Sequence, residues 1–268
     1  MTIYALSSGA GISGIAVIRI SGKKTKDIIK QITGRELPKP RIASLNKIRE
    51  IKTNELIDEG IIIWFPGPDS YTGEDMAELH VHGSSAVIKS ILDNISKISN
   101  CRLAEAGEFT KIAFQNEKIN LLKAESIGDL IAAETDLQRK QALKIMSGKS
   151  SDKFNLWRQS LLKILSNLEA KIDFPDEDLP NDIINNIKKN SEKVKLEIKK
   201  TLDDSKVGER IREGFKIAIL GPTNVGKSSM LNYFSKREAA IVSEIAGTTR
   251  DIVEVHLNID GYPVVMSD

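Results

Sequence analysis

Cysteine occurs once in these 268 residues, as Cys101. A single thiol closes no internal disulfide and builds no multi-cysteine zinc site, which excludes a disulfide scaffold and gives no sign of an oxidising compartment. Net charge is scarce as well: 39 Lys and Arg against 37 Asp and Glu leave a formal +2. No global basic footprint for nucleic acid follows from that balance, local patches aside. No apolar run approaches the roughly 18 residues of a membrane helix; the stretch 61–65, Ile-Ile-Ile-Trp-Phe, suits a buried strand. The opening Met1-Thr2-Ile3-Tyr4-Ala5-Leu6 carries no basic leader, so no signal peptide is expected. What is present, 40% hydrophobic and 28% charged residues, is ordinary for a folded chain of about two domains. The expectation is a cytoplasmic, multidomain α/β protein.

Three textures follow one another. Up to about residue 117, strands and helices mix. Residues 14–20 are apolar and β-branched and end at Ser21-Gly22, 61–65 run into Pro66-Gly67-Pro68, and 77–82 alternate with period two. Apolar positions at 28, 29 and 32, and again through 84–98, have helical spacing. From residue 118 glycine thins out and helical spacing dominates, as in Trp157, Leu161, Leu165, Leu168 and Ile172. The segment Asp173-Phe174-Pro175-Asp176-Glu177-Asp178-Leu179-Pro180 must break the helix, because two prolines cannot sit in its interior. A lysine-rich helix then carries Ile183, Ile187, Val194, Ile198 and Leu202; its charged stretch 188–200 reads as a solvated face. At Phe215 a buried strand, 216–220, leads into a glycine loop. The boundaries are placed at 1–117, 118–213 and 214–268.

Gly221-Pro222-Thr223-Asn224-Val225-Gly226-Lys227-Ser228 matches G-x-x-x-x-G-K-[ST]. Such a loop wraps a diphosphate with backbone N–H groups, and side chains at its glycines would block that approach. Lys227 supplies a cation to the β- and γ-phosphates, Ser228 a hydroxyl to magnesium, and the helix that follows aims its positive end at the anion. About twenty residues on, Ala246-Gly247-Thr248-Thr249-Arg250-Asp251 offers the threonine that a GTPase closes over magnesium and the γ-phosphate. A strand through 251–259, a turn at Gly261-Tyr262-Pro263 and a second strand then deliver Asp268, where a magnesium-binding aspartate belongs. The guanine-reading Asn-Lys-x-Asp segment lies outside the sequence, so GTP specificity is not legible from it. A partial P-loop sheet cannot cover its apolar face, so weak amide protection is expected from Phe215 onward.

The Gly-Thr-Thr-Arg-Asp segment after an Asn-containing P-loop resembles the potassium-dependent GTPases that include Era and EngA. The signatures Gly14-Ile15-Ala16-Val17-Ile18-Arg19-Ile20-Ser21-Gly22, Ser70-Tyr71-Thr72-Gly73-Glu74-Asp75, Glu78-Leu79-x-x-His82-Gly83, Arg102-Leu103-Ala104-x-x-Gly107-Glu108-Phe109-Thr110 and Ala113-Phe114-x-Asn116-x-Lys118-x-x-Leu121 resemble the MnmE (TrmE) family of tRNA-modification GTPases. Ile172-Asp173-Phe174-Pro175 is similar to the break in that family's helical domain. The likeness runs along the whole chain.

The resemblance implies an α+β N-terminal domain that dimerises and binds 5,10-methylene- or 5-formyl-tetrahydrofolate. It implies a helical domain completed by residues beyond the inserted GTPase domain, and the start of that P-loop α/β domain. It implies GTP, magnesium and potassium as cofactors. It further implies a heterotetramer with the FAD- and NADH-using partner MnmG, and modification at C5 of a tRNA wobble uridine by an aminomethyl or carboxymethylaminomethyl group. Membrane is not among the partners. Arg19, Glu78 and Lys118 match the folate positions, where cations suit a glutamate tail and a carboxylate suits a pterin N–H edge. Asn224, Val225, Gly226, Lys227, Ser228, Ser229, Ser243, Glu244, Ile245, Ala246, Gly247, Thr248, Thr249 and Asp268 match the GTP site. Ser228 and Thr249 match the magnesium ligands, and Asn224, Ser243, Ile245 and Thr248 the potassium cage. The catalytic residue that orients water in the family falls beyond Asp268.

His80 and His82 share one sheet face without a third metal ligand in view, and Cys101 reads as a small buried residue. Two competing readings are a non-catalytic folate-binding dimerisation module with a vestigial P-loop, and an Era- or EngA-like ribosome-assembly GTPase.

Overall fold

A computed structural model describes residues 1–9, 11–173, 182–222, 225–235, 240–241 and 254–267. The chain divides into two compact units, Met1–Ala124 and Glu125–Asp268.

The first unit is an α+β layer. Strands β1 (Thr2–Leu6), β2 (Ser13–Ser21), β3 (Ser44–Arg49), β4 (Leu56–Phe65), β5 (Met76–Gly83) and β6 (Cys101–Leu103) form one sheet in the order β3-β4-β5-β2-β1-β6. All neighbours are antiparallel except β1 and β6. Period two decides the faces. Ala16, Ile18 and Ile20 on β2, Ala77, Leu79 and Val81 on β5, Ile62 on β4 and Ile48 on β3 are buried. They pack with Ile28, Ile29 and Ile32 of α1 (Thr25–Thr33) and Ile91 and Ile95 of α2 (Ser85–Ser96) into one core. Helix α2 starts where Ser84 accepts a hydrogen bond from the Val87 N–H, 3.1 Å away, which satisfies a free helix-end donor. Ile18 is fully buried in the middle of this core. Ile18→Ala is expected to cost about 2–5 kcal/mol, read as a fall in the chemical-denaturation midpoint of this unit.

The opposite face of β2 carries Val17, Arg19 and Ser21, in register with His80, Glu78 and Met76 of β5. A loop, 66–75, and helix α3 (Glu108–Gln115) accompany it. Strands β1, β3 and β6 carry no expectation from the sequence reading. β6 is three residues long and β3, Ser-Leu-Asn-Lys-Ile-Arg, interleaves its buried Asn46 and Ile48 with exposed Leu45 and Lys47. Cys101 corrects the expectation of a buried residue. It sits half-buried on the sheet edge, and burial pushes its thiol above the ordinary range, helped by the nearby negative charge of Asp27.

The second unit contains α4 (Leu121–Ile131), which starts in the first, then α5 (Asp136–Met146), α6 (Lys149–Asp173) and α7 (Ile183–Glu213). Lys153 meets Thr201 and Trp157 meets Glu197, so α6 and α7 run antiparallel. Their contact buries Trp157 and Val194, and the Trp157 indole donates to Glu197 over 2.8 Å. The lysine face of α7 is exposed, as expected. The helix runs eleven residues beyond Leu202, the last apolar marker, and ends at Gly214.

Beyond it, β7 (Phe215–Ala218), α8 (Lys227–Ser235), β8 (Ala240–Ile241), β9 (Glu254–Ile259) and β10 (Tyr262–Ser267) build a second sheet in the order β7-β10-β9-β8. β7 and β10 are parallel, and β9 is antiparallel to both β10 and β8. Leu231 of α8 covers Leu257, Val264 and Met266. This core is small, and Leu220 at 90% and Ile217 at 44% remain exposed.

Candidate functional site

In the first unit the pairing of β2 with β5 sets Arg19 directly opposite Glu78. The guanidinium donates to one Glu78 carboxylate oxygen from Nε at 3.0 Å and from Nη2 at 2.8 Å. His80 Nε2 stands 3.4 Å from the other oxygen. The guanidinium lies 5.6 Å from the Tyr71 ring centre and 5.7 Å from that of Phe109, within cation–π range of both. The side chains of Arg19 and Glu78 keep 29% and 16% exposure, so a ligand can reach a charged pair that is already aligned.

The sequence signatures explain how the loop 66–75 is held over this pair. Ser21 Oγ donates to Glu74 at 2.8 Å and meets Thr72 Oγ1 at 2.8 Å. Tyr71 OH meets Thr110 Oγ1 at 2.9 Å, and the Asn116 amide donates to the Thr72 carbonyl at 2.7 Å. Lys118 lies along the same loop: its Cε is 3.0 Å from where a Cβ on Gly73 would sit. Arg102 grips Glu108 with both Nη atoms, and that hydrogen bonding holds the carboxyl below the usual carboxylate range. The fold therefore brings Arg19 and Glu78 together and places Lys118 against the loop that carries Tyr71. Tyr71 and Phe109 stood inside the quoted signatures but were not singled out. An arginine on a sheet face needs a cover, and aromatic residues in the flanking signatures were the signal.

His80 and His82 do point to one face, yet each has its own carboxylate. His82 Nδ1 lies 2.8 Å from Asp58 Oδ1, and the His82 backbone N–H donates to Oδ2 at 2.8 Å. No cluster of three metal-binding side chains occurs among the described residues. Burial works to raise the Asp58 carboxyl, but the hydrogen bonds from His82 and from the Glu59 N–H outweigh it and hold it below its usual value. A depressed carboxylate stabilises the fold above its unfolded pKa, near 3.9, and loses that contribution as pH falls through the folded value. Asp58→Asn should therefore lower the stability of this unit at pH 7. The gap to the unsubstituted protein should close as pH falls below about 4, followed by urea denaturation across pH 3–7.

In the second unit the parallel register sets Ala218 opposite Ser267, and the Ile219 N–H donates to the Ser267 carbonyl at 2.8 Å. The glycine loop and the strand that delivers Asp268 thus leave the sheet at the same edge. Gly226 has φ +93, which a residue with a side chain rarely adopts, and a Cβ there would meet nothing within 4 Å. Beside it α8 begins at Lys227. The Lys227 ammonium donates to the Pro222 carbonyl at 3.1 Å, folded across the loop. An open left-handed glycine, a helix N-terminus and an ammonium on one short loop fit a phosphate chain. Val225, Gly226, Ser228 and Ser229 are exposed beside it. Asn224, Ser243, Glu244, Ile245, Ala246, Gly247, Thr248, Thr249 and Asp268 lie outside the described residues. Of the expected magnesium ligands that leaves Ser228 at the loop, and of the expected potassium set none.

Comparison with known proteins agrees with this arrangement. The family "GTP-binding protein TrmE N-terminus" matches residues 2–118, and the family "MnmE helical domain" matches residues 121–264. A protein of Pelagibacter ubique named "tRNA modification GTPase MnmE" is 72% identical over 268 residues. Proteins of the same name in Rickettsia akari and Rickettsia prowazekii are 48% and 49% identical over 267 residues. In each case the match takes in the whole of this chain, which spans 60% of the length of the relative. With both family matches and these relatives, the chain belongs to the MnmE (TrmE) family.

Proposed function

We propose that this chain is the folate-binding and phosphate-binding part of a potassium-dependent GTPase. Acting with an FAD-dependent partner, the protein adds an aminomethyl or carboxymethylaminomethyl group at C5 of a tRNA wobble uridine. The observation that carries the nucleotide part is the shared edge of β7 and β10, which brings the loop with Lys227 to the end of the strand before Asp268. Lys227 and the N–H groups that open α8 would hold the phosphates, and Ser228 would face magnesium. Asn224, Ser243, Ile245 and Thr248 are the proposed potassium ligands, Thr249 the second magnesium ligand. The ion would place positive charge where an arginine finger otherwise sits, against the negative charge that develops on the phosphates.

In the first unit, Arg19, Glu78 and Lys118 would hold a reduced folate, with Tyr71 and Phe109 as its aromatic walls. When bound, the folate supplies a one-carbon unit. Arg19 and Glu78 supply a donor and an acceptor fixed opposite each other, and Lys118 a second cation for a carboxylated tail. The open sheet face, with Ile15 and Leu45 exposed by 65% and 63%, is the proposed homodimer surface. On α6, Leu161, Leu162 and Leu165 are exposed and line a groove of about 470 Å³, and Ile172 is exposed further along the helix. This supports a helical domain completed by chain beyond residue 268. Among the described residues no helix is long and apolar enough to cross a membrane.

GTP hydrolysis by the complete protein, measured in potassium and in sodium, tests the nucleotide reading. Faster turnover in potassium supports it, and equal rates in both salts remove the potassium assignment. Titration of residues 1–124 with 5-formyl-tetrahydrofolate tests the folate reading. Failure to bind would remove the folate assignment and leave the nucleotide reading standing.

A further inference from the structure

The turn between α4 and α5 ties together two parts of the second unit that the nucleotide motifs require. Helix α5 opens with a capping box: the Gln138 N–H donates to Thr135 Oγ1 at 3.3 Å, and Gln138 Oε1 accepts from the Thr135 N–H at 3.0 Å. The same Oε1 accepts from the Glu134 N–H at 3.0 Å. Thr135 is 4% exposed, so this is an ordered and desolvated corner.

Two contacts leave it. The other end of the Gln138 amide, Nε2, donates to the Arg212 carbonyl at 3.2 Å, three residues before the strand that feeds the glycine loop. Arg212 is itself fixed by its Nε to Asp129 at 2.8 Å. Glu134 Oε2 lies 3.0 Å from His256 Nδ1 on β9, the strand that follows the Gly247-Thr248-Thr249 segment in sequence. The corner is therefore bonded to the entry of the P-loop strand and to the strand after the threonine segment. A capping box needs neither contact to cap its helix.

We propose that this corner is the relay by which the nucleotide state reaches the helical part of the chain, with Glu134, Gln138 and His256 as positioning residues. The proposal rests on the nucleotide reading given above. A hydrogen bond at 3.0 Å is lost when its partners part by about 1 Å, so a small shift of β9 is enough to release Glu134. Release frees the residue whose N–H shares Gln138 Oε1 with Thr135. The corner then loosens at the start of α5, and the strain passes to α7 through the Arg212 carbonyl.

The test is hydrogen exchange of peptides covering residues 132–142 in the complete protein, without nucleotide and with a non-hydrolysable GTP analogue. Binding is titrated by fluorescence in the same samples. The expected result is at least a fivefold difference in exchange between the two states. His256→Ala should reduce it to under twofold with nucleotide affinity within twofold of the unsubstituted protein, and His256→Gln, which keeps a donor, should restore it. If His256→Ala does not fold, Glu134→Gln serves as the second variant and should also shrink the difference. Nucleotide that binds without changing exchange at the corner overturns the relay while the functional reading stands. So does a His256→Ala protein that keeps the full difference. Absence of nucleotide binding overturns both.

Discussion

Replacing Lys227 by alanine should weaken GTP and GDP binding to the complete protein by at least about 100-fold, or about 2.8 kcal/mol. Hydrogen bonds between a charged group and its partner contribute roughly 1.5–3 kcal/mol each, and the ammonium of this loop would serve two phosphate groups. The loss is smaller than the gross sum because the ammonium already bonds to the Pro222 carbonyl at 3.1 Å, a contact the ligand must replace. Thermal stability should hardly change, since Lys227 packs no core and is only partly buried. Lys227→Arg should not rescue binding: its planar fork demands a geometry that a loop built around a point charge does not offer. Isothermal titration with GDP separates the outcomes. Affinity within threefold of the unsubstituted protein would show that this loop does not hold the phosphates.

Gly60→Ala should be among the most damaging single-methyl changes in the first unit. A Cβ on Gly60 would lie 2.4 Å from the His80 carbonyl oxygen, where ordinary contact begins near 3.4 Å. The obstacle is backbone of the adjacent central strand, so no side chain can rotate out of the way. β4 and β5 must part at His80, two residues from Glu78 and in the middle of the sheet. Overpacking of this kind costs roughly 1–3 kcal/mol, a fall of up to about 10 °C in Tm for a unit of this size. Folate affinity should fall with it, because Glu78 is held opposite Arg19 by the same strand. Gly128→Ala in α4 is the control. Nothing lies within 4 Å of its Cβ position, and alanine suits a helix interior better than glycine by roughly 0.5–1 kcal/mol. If Gly60→Ala melts with Gly128→Ala, the close approach at His80 carries no strain.

The two sheet residues proposed to hold folate show what could be read in advance. Arg19 and Glu78 were found through signatures in separate stretches, 59 residues apart, and nothing in either stretch states that they meet. Their pairing is a matter of register: β2 and β5 are neighbours, and a shift of one residue would send Arg19 into the core with Ile18 outside. The same holds for His82, expected only to share a sheet face with His80, which the fold gives to Asp58 from β4. Cys101 was misjudged because a small apolar residue type says nothing about a place on a sheet edge. Signals carried within one segment fared better. The helix after the P-loop and the alternation of β5 depend on local periodicity and on what glycine permits; the proline break expected after Asp173 lies outside the described residues.

The sequence by itself determined the chemistry available: a phosphate loop, a helical middle, a sheet with one apolar face and the signatures of its family. These are local matters, because backbone periodicity and glycine or proline geometry act over a few residues. Only the tertiary structure decided which groups face one another. Arg19 with Glu78 beside two aromatic rings, and Glu134 with His256 across 122 residues, arise from strand order and register. Those are set by how the whole apolar surface is buried at once, which no single segment encodes.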